Sequence, residues 1–515
     1  MSHAISDSTP DVAEWAHLLR SGQVSASDLT RESLRRIAHD DREGRGLHAV
    51  IECAPHAIDD ARRLDDELRA GHDRGPLHGI PVLVKDNIAT ADGTQTTTGS
   101  SALEGAYALR DADLVATLRE AGAVIIGKTN LSEWSSIRSG NAHGGWSGRG
   151  GQCRNPWDTS RSACGSSSGS AVAIAAGYVP LTIATETAGS IAYPASVTGI
   201  TGIKPTVGLV SRRGIIPISY FQDSPGPMAH TVADLATALT VLALCPDPDT
   251  PSSAPGDAHA PHLPIRPTTP DATDYAAALS ATALRGARLG IDRVACKHSP
   301  AATEIFEQTL PLLREAGATI VDDVAIPEYD EILRTRGRQV RTLMAETRSG
   351  LERYMRDYVD PEFAVRTMAD VVAFLAQHPE PADAPDHEIL RSIAESVGDD
   401  DTEVRAAIAH FQRMARTAID TAFAIYRLDA LIAPAVAPAA RIDPVHGEPY
   451  PLGASTLTAL AGYPIGSVNA GFYEGLPVGI AFSAPAWHEQ HLLNLMHSYQ
   501  RTSRHARPVL PDAAA

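Results

Sequence analysis

The sequence predicts an α/β protein, because helical segments that end in glycine are followed directly by short apolar strands. Residues Asp113–Gly122 form one such helix, and AVIIGKTN follows it as a buried strand with a polar end. The same unit recurs at Ser299–Val324, where a serine and a proline begin the helix and Gly317 ends it before TIVDDV. A further apolar strand lies in GIPVLVKDNI, residues Gly79–Ile88, and ends in a charged KDN.

Other segments indicate how the chain is organised around these units. Ser25–Ala38 is predicted to be a helix with Ser25 and Asp28 in capping-box spacing. Residues 246–270 are rich in proline, which predicts a surface connection between two halves of the molecule. Two amphipathic stretches predict a helical insertion at 334–427. The whole chain, 1–515, is interpreted as one domain that carries both segments.

Composition excludes several classes of protein. The chain has 515 residues, 43% of them hydrophobic, and a formal net charge of −18 without a cluster of Lys and Arg, which argues against a nucleic-acid surface. The longest apolar run, near Ala171–Ala184, is broken by Gly177 and Pro180, so no membrane span is expected. We see no secretory signal at the N-terminus, and we expect a cytoplasmic protein. Five scattered cysteines without a CxxC pair argue against a disulfide framework and a structural zinc site.

The serine run CGSSSGS, Cys164–Ser170, could be a flexible linker or a place where hydroxyl groups do chemistry. It opens directly into SAVAIAAG, which is typical of a buried helix, and then into the strand LTIATET. A second serine in a tight glycine setting, Ser190 in TETAGS, follows Ser166 by 24 positions. A linker between buried elements is improbable, so the run is assigned to the core.

Two competing interpretations of this region are weaker. Gly165–Gly169 matches the GxSxG nucleophile elbow of α/β-hydrolases, with Ser167 as the nucleophile, but the preceding RNPWDTSRSAC is too polar for a central strand. The HExH sequence at His488–His491 is one residue short of the zinc-binding HExxH, which favours a solvated helix start. Cys164 has no evident histidine partner and is expected to be a small buried thiol.

Lys85 and Ser190 are the remaining candidates for chemistry. A lysine at the end of an apolar strand loses solvation, which favours the neutral amine that can act as a base. The alternative for Lys85 is a salt bridge with Asp86. Around Ala188 and Gly189, successive backbone N–H groups can converge on one point and form an oxyanion hole next to Ser190.

These pieces come together in one resemblance. The segment Cys164–Thr206 resembles the signature segment of the amidase signature family, and Gly75–Ile88 is similar to the family's lysine block. The resemblance implies a single α/β/α sandwich with a central mixed, twisted sheet, and amide hydrolysis that needs neither metal nor cofactor. It also implies a Ser-Ser-Lys triad of Lys85, Ser166 and Ser190, a cis peptide bond at Gly165–Ser166, and an oxyanion hole made by the N–H groups of Thr187, Ala188, Gly189 and Ser190.

Within the family the sequence is most similar to bacterial peptide amidases, which remove the C-terminal amide from peptides. This likeness lies in GWSGRGGQCRNPW and in KPTVGLVSRRGIIPISYFQDSPGPMA. It implies a peptide or small-molecule amide as the partner, a monomer or homodimer, and substrate contacts at Ala188, Arg149 and Ser167. Ala188 departs from the aspartate common in peptide amidases, and Ala192 departs from the arginine of many family members, which bears on substrate choice.

Three alternatives stay open at this point. The chain could hydrolyse aryl amides, carbamates or esters, because the triad does not choose the acyl group. It could be the amidase-like component of a tRNA-dependent amidotransferase, although its acidic charge and helical insertion argue against this. It could also be a binding protein on an inactive scaffold, which the intact triad residues disfavour.

Overall fold

The computed structural model describes residues 11–250, 261–267, 274–378, 380–381, 384–443, 445–448, 452–505 and 510. A mixed sheet of 11 strands forms the centre of this structure, and two short two-stranded sheets lie outside it. In chain order the strands are β1 Val50–Cys53, β2 Pro81–Lys85, β3 Val124–Thr129, β4 Trp146–Ser147, β5 Gly151–Gln152, β6 Arg154–Asn155, β7 Asp158–Ser162, β8 Leu181–Glu186, β9 Thr201–Lys204, β10 Ser224–Ala229, β11 Arg288–Ile291, β12 Thr319–Val321, β13 Ala430–Pro434, β14 Ile465–Tyr473 and β15 Leu476–Ser483.

Helices flank the sheet. In chain order the α-helices are α1 Val12–Arg20, α2 Ala26–Arg36, α3 Ala57–Arg69, α4 Asp113–Glu120, α5 Ser168–Ala175, α6 Ala192–Thr198, α7 Val232–Leu242, α8 Arg293–Cys296, α9 Pro300–Glu315, α10 Tyr329–Arg334, α11 Arg336–Tyr358, α12 Met368–Gln377, α13 Glu388–Glu395, α14 Thr402–Tyr426, α15 Thr456–Ala461 and α16 Glu489–Thr502. Among the described helices, none is both long enough and apolar enough to cross a bilayer.

The large sheet has the order β1-β3-β2-β8-β10-β9-β14-β15-β13-β11-β12. Strands β3, β2 and β8 run parallel to one another, as do β13, β11 and β12, whereas the remaining neighbours pair antiparallel. The predicted α/β fold with a mixed sheet is therefore confirmed. Because β2 and β8 are parallel neighbours, their carboxyl ends lie at the same edge, which brings Lys85 and Glu186 to one place.

The local signals in the sequence account for several helix ends. Ser25 caps α2, with its hydroxyl accepting a hydrogen bond from the Asp28 N–H, and Ser299 caps α9 in the same way. The chain after α2 continues as a π-helix over Ile37–Glu43 rather than ending at residue 38. Gly317, after α9, has a φ of 97°, a left-handed conformation that only glycine adopts without strain.

The two long segments singled out from the sequence differ from each other in structure. Of the proline-rich segment 246–270, residues 251–260 and 268–270 lie outside the described residues. Residues 261–267 form neither helix nor strand, and Leu263 is buried, so this part is more than a surface connection. Residues 334–427 contain α11, α12, α13 and α14, and α11 packs against α14.

Candidate active site

Lys85 is the last residue of β2, whose five residues are all buried. Its Nζ lies 2.8 Å from Ser166 Oγ, 3.0 Å from Thr185 Oγ1 and 3.2 Å from Thr185 O. Burial lowers the pKa of Lys85 to about 7, although the negative charges of Asp223 and Glu186 raise it. A large fraction of this amine is therefore neutral near pH 7, as the apolar strand predicts.

The predicted salt bridge between Lys85 and Asp86 is not formed. Asp86 is fully buried, and its carboxylate accepts hydrogen bonds from Thr97 and from the Gly99 N–H. Its guanidinium neighbour is Arg149, at 3.8 Å. Adjacent residues of a strand point their side chains in opposite directions, so Lys85 and Asp86 are turned toward different groups.

Ser166 stands between the lysine and the loop that carries Ser190. The peptide bond Gly165–Ser166 is cis, which confirms that prediction. The Ser166 carbonyl accepts a hydrogen bond of 3.0 Å from the Ser132 N–H, and only 1% of Ser166 is exposed. A Cβ on Gly165 would lie 2.1 Å from Ser132 Oγ, so this position accepts no side chain.

Ser190 follows β8 at the end of a short loop, residues 187–190, which we call the nucleophile loop. The Ser167 N–H donates to the Ser190 carbonyl at 3.1 Å and so joins this loop to the serine run. Glu186 fixes the far side, because its carboxylate accepts the N–H groups of Ile191 at 2.7 Å and Ala192 at 3.0 Å. Gly189 has a φ of 86°, and a Cβ there would lie 2.3 Å from the Tyr193 ring.

The nucleophile loop offers backbone N–H groups near the Ser190 hydroxyl. In the part of the chain that the structure describes, the N–H groups of Gly189 and Ser190 donate to no other group. The Thr187 hydroxyl is held by the Asp223 carboxylate at 2.6 Å. N–H groups arranged in this way can stabilise an oxyanion.

A cavity of about 260 Å³ lies against the nucleophile loop. Thr187, Ala188 and Ser190 form part of its lining together with Cys164 and Gly165. The opposite wall is mainly apolar and is formed by α10, α11, α13 and the region around α15, through Ile332, Leu333, Val340, Leu343, Met344, Ile389, Ile393, Leu452, Ala459 and Leu460. The helical insertion therefore covers the site.

Two predicted substrate-binding residues lie elsewhere. Arg149 is not among the residues that line the cavity; its guanidinium pairs with Glu52 and lies 3.8 Å from Asp86. Ser167 is fully buried, and its hydroxyl donates to the Thr185 carbonyl at 2.9 Å. Neither side chain is placed to contact a substrate in this cavity, because both are committed to internal contacts. Ala188 does line the cavity.

The competing sequence motifs also have structural explanations. The polar stretch before the serine run forms β7, which pairs with β6 in a separate two-stranded sheet and is not a central strand. Glu489 of the HExH sequence is buried and accepts hydrogen bonds from the N–H and hydroxyl of Thr206, so the prediction of a solvated helix start is wrong for this residue. Within the described ranges, no group of three or more His, Cys, Asp and Glu side chains could hold a metal ion. Cys164 is a buried thiol, as predicted, and burial raises its pKa.

Sequence reasoning missed three residues that organise the site. Thr185 contacts the lysine, Glu186 holds the backbone after Ser190, and Asp223 holds Thr187. The first two lie in TETAGS, where no local signal distinguishes them from other polar residues. Asp223 lies in YFQDSPGP, far from the serine along the chain, and only the pairing of β10 with β8 brings it close.

Comparison with known proteins decides the family. The sequence profile described as Amidase matches residues 28–493. The chain belongs to the amidase family. The native peptide amidase from Stenotrophomonas maltophilia is 40% identical to this amidase and superposes with a TM-score of 0.88, over 99% of this chain and 100% of that chain.

Two curated relatives of this amidase differ in their described roles. A probable amidase of Arabidopsis thaliana is 34% identical over 476 residues, 90% of this chain and 84% of that protein. A glutamyl-tRNA(Gln) amidotransferase component from Symbiobacterium thermophilum is 33% identical over 528 residues, 97% of this chain and 98% of that protein. The family assignment and the similarity to a peptide amidase structure make this amidase a hydrolytic enzyme of the amidase signature fold.

Proposed function

We propose that this enzyme hydrolyses C-terminal primary amides of peptides, or closely related carboxylic amides, with Ser190 as nucleophile, Ser166 as proton relay and Lys85 as base. The observation that carries the proposal is the 2.8 Å contact between Lys85 Nζ and Ser166 Oγ, in a buried environment next to a cavity that Ser190 lines. A neutral amine bonded to a hydroxyl group is an arrangement that can remove a proton.

Each step of the proposed reaction moves one proton through the same relay. Lys85 takes the proton of Ser166 while Ser166 takes the proton of Ser190, and Ser190 Oγ attacks the amide carbonyl carbon. The N–H groups of the nucleophile loop, residues 187–190, stabilise the oxyanion. The C–N bond then breaks as Ser166 returns a proton to the leaving nitrogen, so ammonia departs from a primary amide. A water molecule attacks the acyl-enzyme by the same route and releases the acid.

The cavity supports an extended acyl group with apolar side chains. Its wall opposite Ser190 is built mainly from leucine, isoleucine and valine side chains of the insertion, with Met344 among them. Burial of apolar substrate surface against such a wall contributes roughly 25 cal/mol per Å². The similarity to the peptide amidase of Stenotrophomonas maltophilia supports a peptide as the source of that acyl group.

The proposal is tested by ammonia release from a panel of substrates. We expect kcat/KM to be highest for peptide amides with apolar residues near the C-terminus, lower for small aliphatic amides, and measurable for anilides. Initial rates of ammonia or aniline formation measure each case. A clear preference for anilides, carbamates or esters over every peptide amide would favour the aryl-acylamidase or esterase alternative.

The same panel separates the amidotransferase alternative. That role depends on partner chains and a tRNA, so a component of that kind should release little ammonia from peptide amides when assayed alone. Turnover of peptide amides by the isolated chain supports the proposed hydrolase. Turnover of glutamine only, and only with a partner present, would contradict it.

Ala188 is predicted to widen the substrate range toward apolar amides. It lines the cavity two residues before the nucleophile and cannot accept a hydrogen bond through its side chain. A site without such an acceptor does not discriminate in favour of polar substrates. We expect Ala188→Asp to raise the ratio of kcat/KM for a polar peptide amide to that for an anilide by about tenfold. Ala188→Val is the control that adds bulk without an acceptor, and an unchanged ratio in Ala188→Asp would show that this position does not select the substrate.

A further inference from the structure

A single turn of chain, residues 218–223, lies between the nucleophile loop and the insertion. Asp223 closes it with three hydrogen bonds. One oxygen of its carboxylate accepts the Thr187 hydroxyl at 2.6 Å. The other oxygen accepts the N–H groups of Ile218 at 2.8 Å and Ser219 at 3.1 Å. Only 8% of Asp223 is exposed. One buried carboxylate thus fixes both the nucleophile loop and the 218–223 turn.

Helix α11 holds the same turn from the other side. The Glu346 carboxyl accepts the Ser219 hydroxyl at 2.8 and 2.9 Å and the Phe221 N–H at 3.3 Å. The Thr347 hydroxyl donates to the Ile218 carbonyl at 3.0 Å. Glu346 is 1% exposed, and burial raises its pKa to about 8. Two successive residues of α11 are therefore committed to this turn.

Both ends of this connection reach the cavity. Thr187 lines it from the nucleophile loop, Ile218 and Gln222 line it from the turn, and Val340 and Leu343 line it from α11. The helix that covers the substrate is consequently joined by a continuous series of hydrogen bonds to the residue that begins the oxyanion segment.

We propose that Asp223 is a positioning residue for amide hydrolysis, which sets the nucleophile loop through Thr187 and couples its placement to the α11 wall through the 218–223 turn. This inference rests on the proposed function. Donors in an oxyanion hole are effective only when they are fixed within a fraction of an ångström of their required position. The three hydrogen bonds of Asp223 supply that constraint, and Asp223 itself contacts no reacting atom.

The direct test removes the hydroxyl that Asp223 binds. In Thr187→Val, which keeps the shape of the side chain, we expect kcat for a peptide amide to fall about 10- to 100-fold with KM changed less than about threefold. Thr187→Ser restores the hydroxyl and should return kcat to within about threefold of the wild type. Thr237→Val is the matched control, since the Thr237 hydroxyl donates only within helix α7, to the Ala233 carbonyl.

A second variant keeps the test decisive if Thr187→Val folds poorly. Asp223→Asn preserves size but turns an N–H₂ group toward N–H donors, so we expect it to lower kcat as well. If the two residues act as one unit, the double variant should be no slower than the slower single variant. Effects on kcat that multiply, or a Thr187→Val enzyme with wild-type kcat, would overturn the inference. Ser190→Ala assayed in parallel separates this from a failure of the proposed function, because an active Ser190→Ala enzyme would refute the proposed nucleophile instead.

Discussion

Replacing Ser190 with alanine is expected to reduce kcat for peptide amides by about 10⁴-fold or more, because no other group is placed to form the acyl-enzyme. The variant should fold normally. The Ser190 backbone carbonyl still accepts the Ser167 N–H, and the side chain that is lost is small. A fluorophosphonate probe should label the wild-type enzyme at Ser190 and leave the variant unlabelled. Peptide mapping of the labelled enzyme and the rate of ammonia release measure the two outcomes.

Ser167→Ala is the matched control for that experiment. Ser167 is the nucleophile of the α/β-hydrolase interpretation, yet its hydroxyl is buried and donates to the Thr185 carbonyl. We expect Ser167→Ala to retain labelling at Ser190 and much of the activity. Labelling at Ser167 in the wild type, or loss of labelling in Ser167→Ala with activity retained by Ser190→Ala, would replace our assignment by the hydrolase elbow.

The second large effect is expected at Lys85. Lys85→Met should lower kcat at least about 10³-fold, because it removes the base that activates Ser166. In the wild type, kcat/KM should rise with pH as the ammonium loses its proton, with a midpoint near the pKa of about 7, and then level off. The variant should lose this dependence. A pH–rate profile from pH 5 to about 9 measures both.

Stability gives an independent readout for the same variant. Burial lowers the pKa of Lys85 from its ordinary 10.5 to about 7, which corresponds to a cost on the order of 5 kcal/mol for the charged form. Between these two pKa values the unfolded chain binds more protons than the folded chain, so the wild-type free energy of unfolding gains from a rise in pH. The difference between wild type and Lys85→Met should therefore move in favour of the wild type from about pH 7 upward. Denaturant titrations at several pH values measure it.

Lys128→Met provides the control for charge and burial. Lys128 is also fully buried with its pKa lowered to about 8, but its Nζ contacts Thr96 Oγ1 at 3.1 Å and does not contact the serine run. This variant should keep the acid side of the pH–rate profile. If Lys85→Met retained near wild-type activity at neutral pH, the proton relay would be wrong even though the family assignment would stand.

The α/β fold class and the candidate triad could be predicted from the sequence because both depend on local patterns. Apolar strands, glycine stops and serine caps are set by residues within a few positions of each other, as at Ser25 and Ser299. Lys85 could be chosen because an apolar lead-in predicts a buried amine, and its pKa direction agrees. Ser190 and Ser166 could be chosen because their spacing and glycine setting resemble a known family.

The partners of these residues were decided by tertiary structure alone. Asp223 and Glu346 lie 33 and 156 positions after Ser190, and no local pattern indicates which carboxyl group will meet a given loop. Arg149 shows the same limit from the other side, since the resemblance placed it near the substrate whereas packing pairs it with Glu52. A buried polar group must find its partner wherever the chain brings one close, and that partner is set by strand pairing and helix packing rather than by neighbours in the sequence. The sequence by itself thus determined the fold class and the candidate reactive groups, whereas the folded structure determined which side chains hold them and which helices cover them.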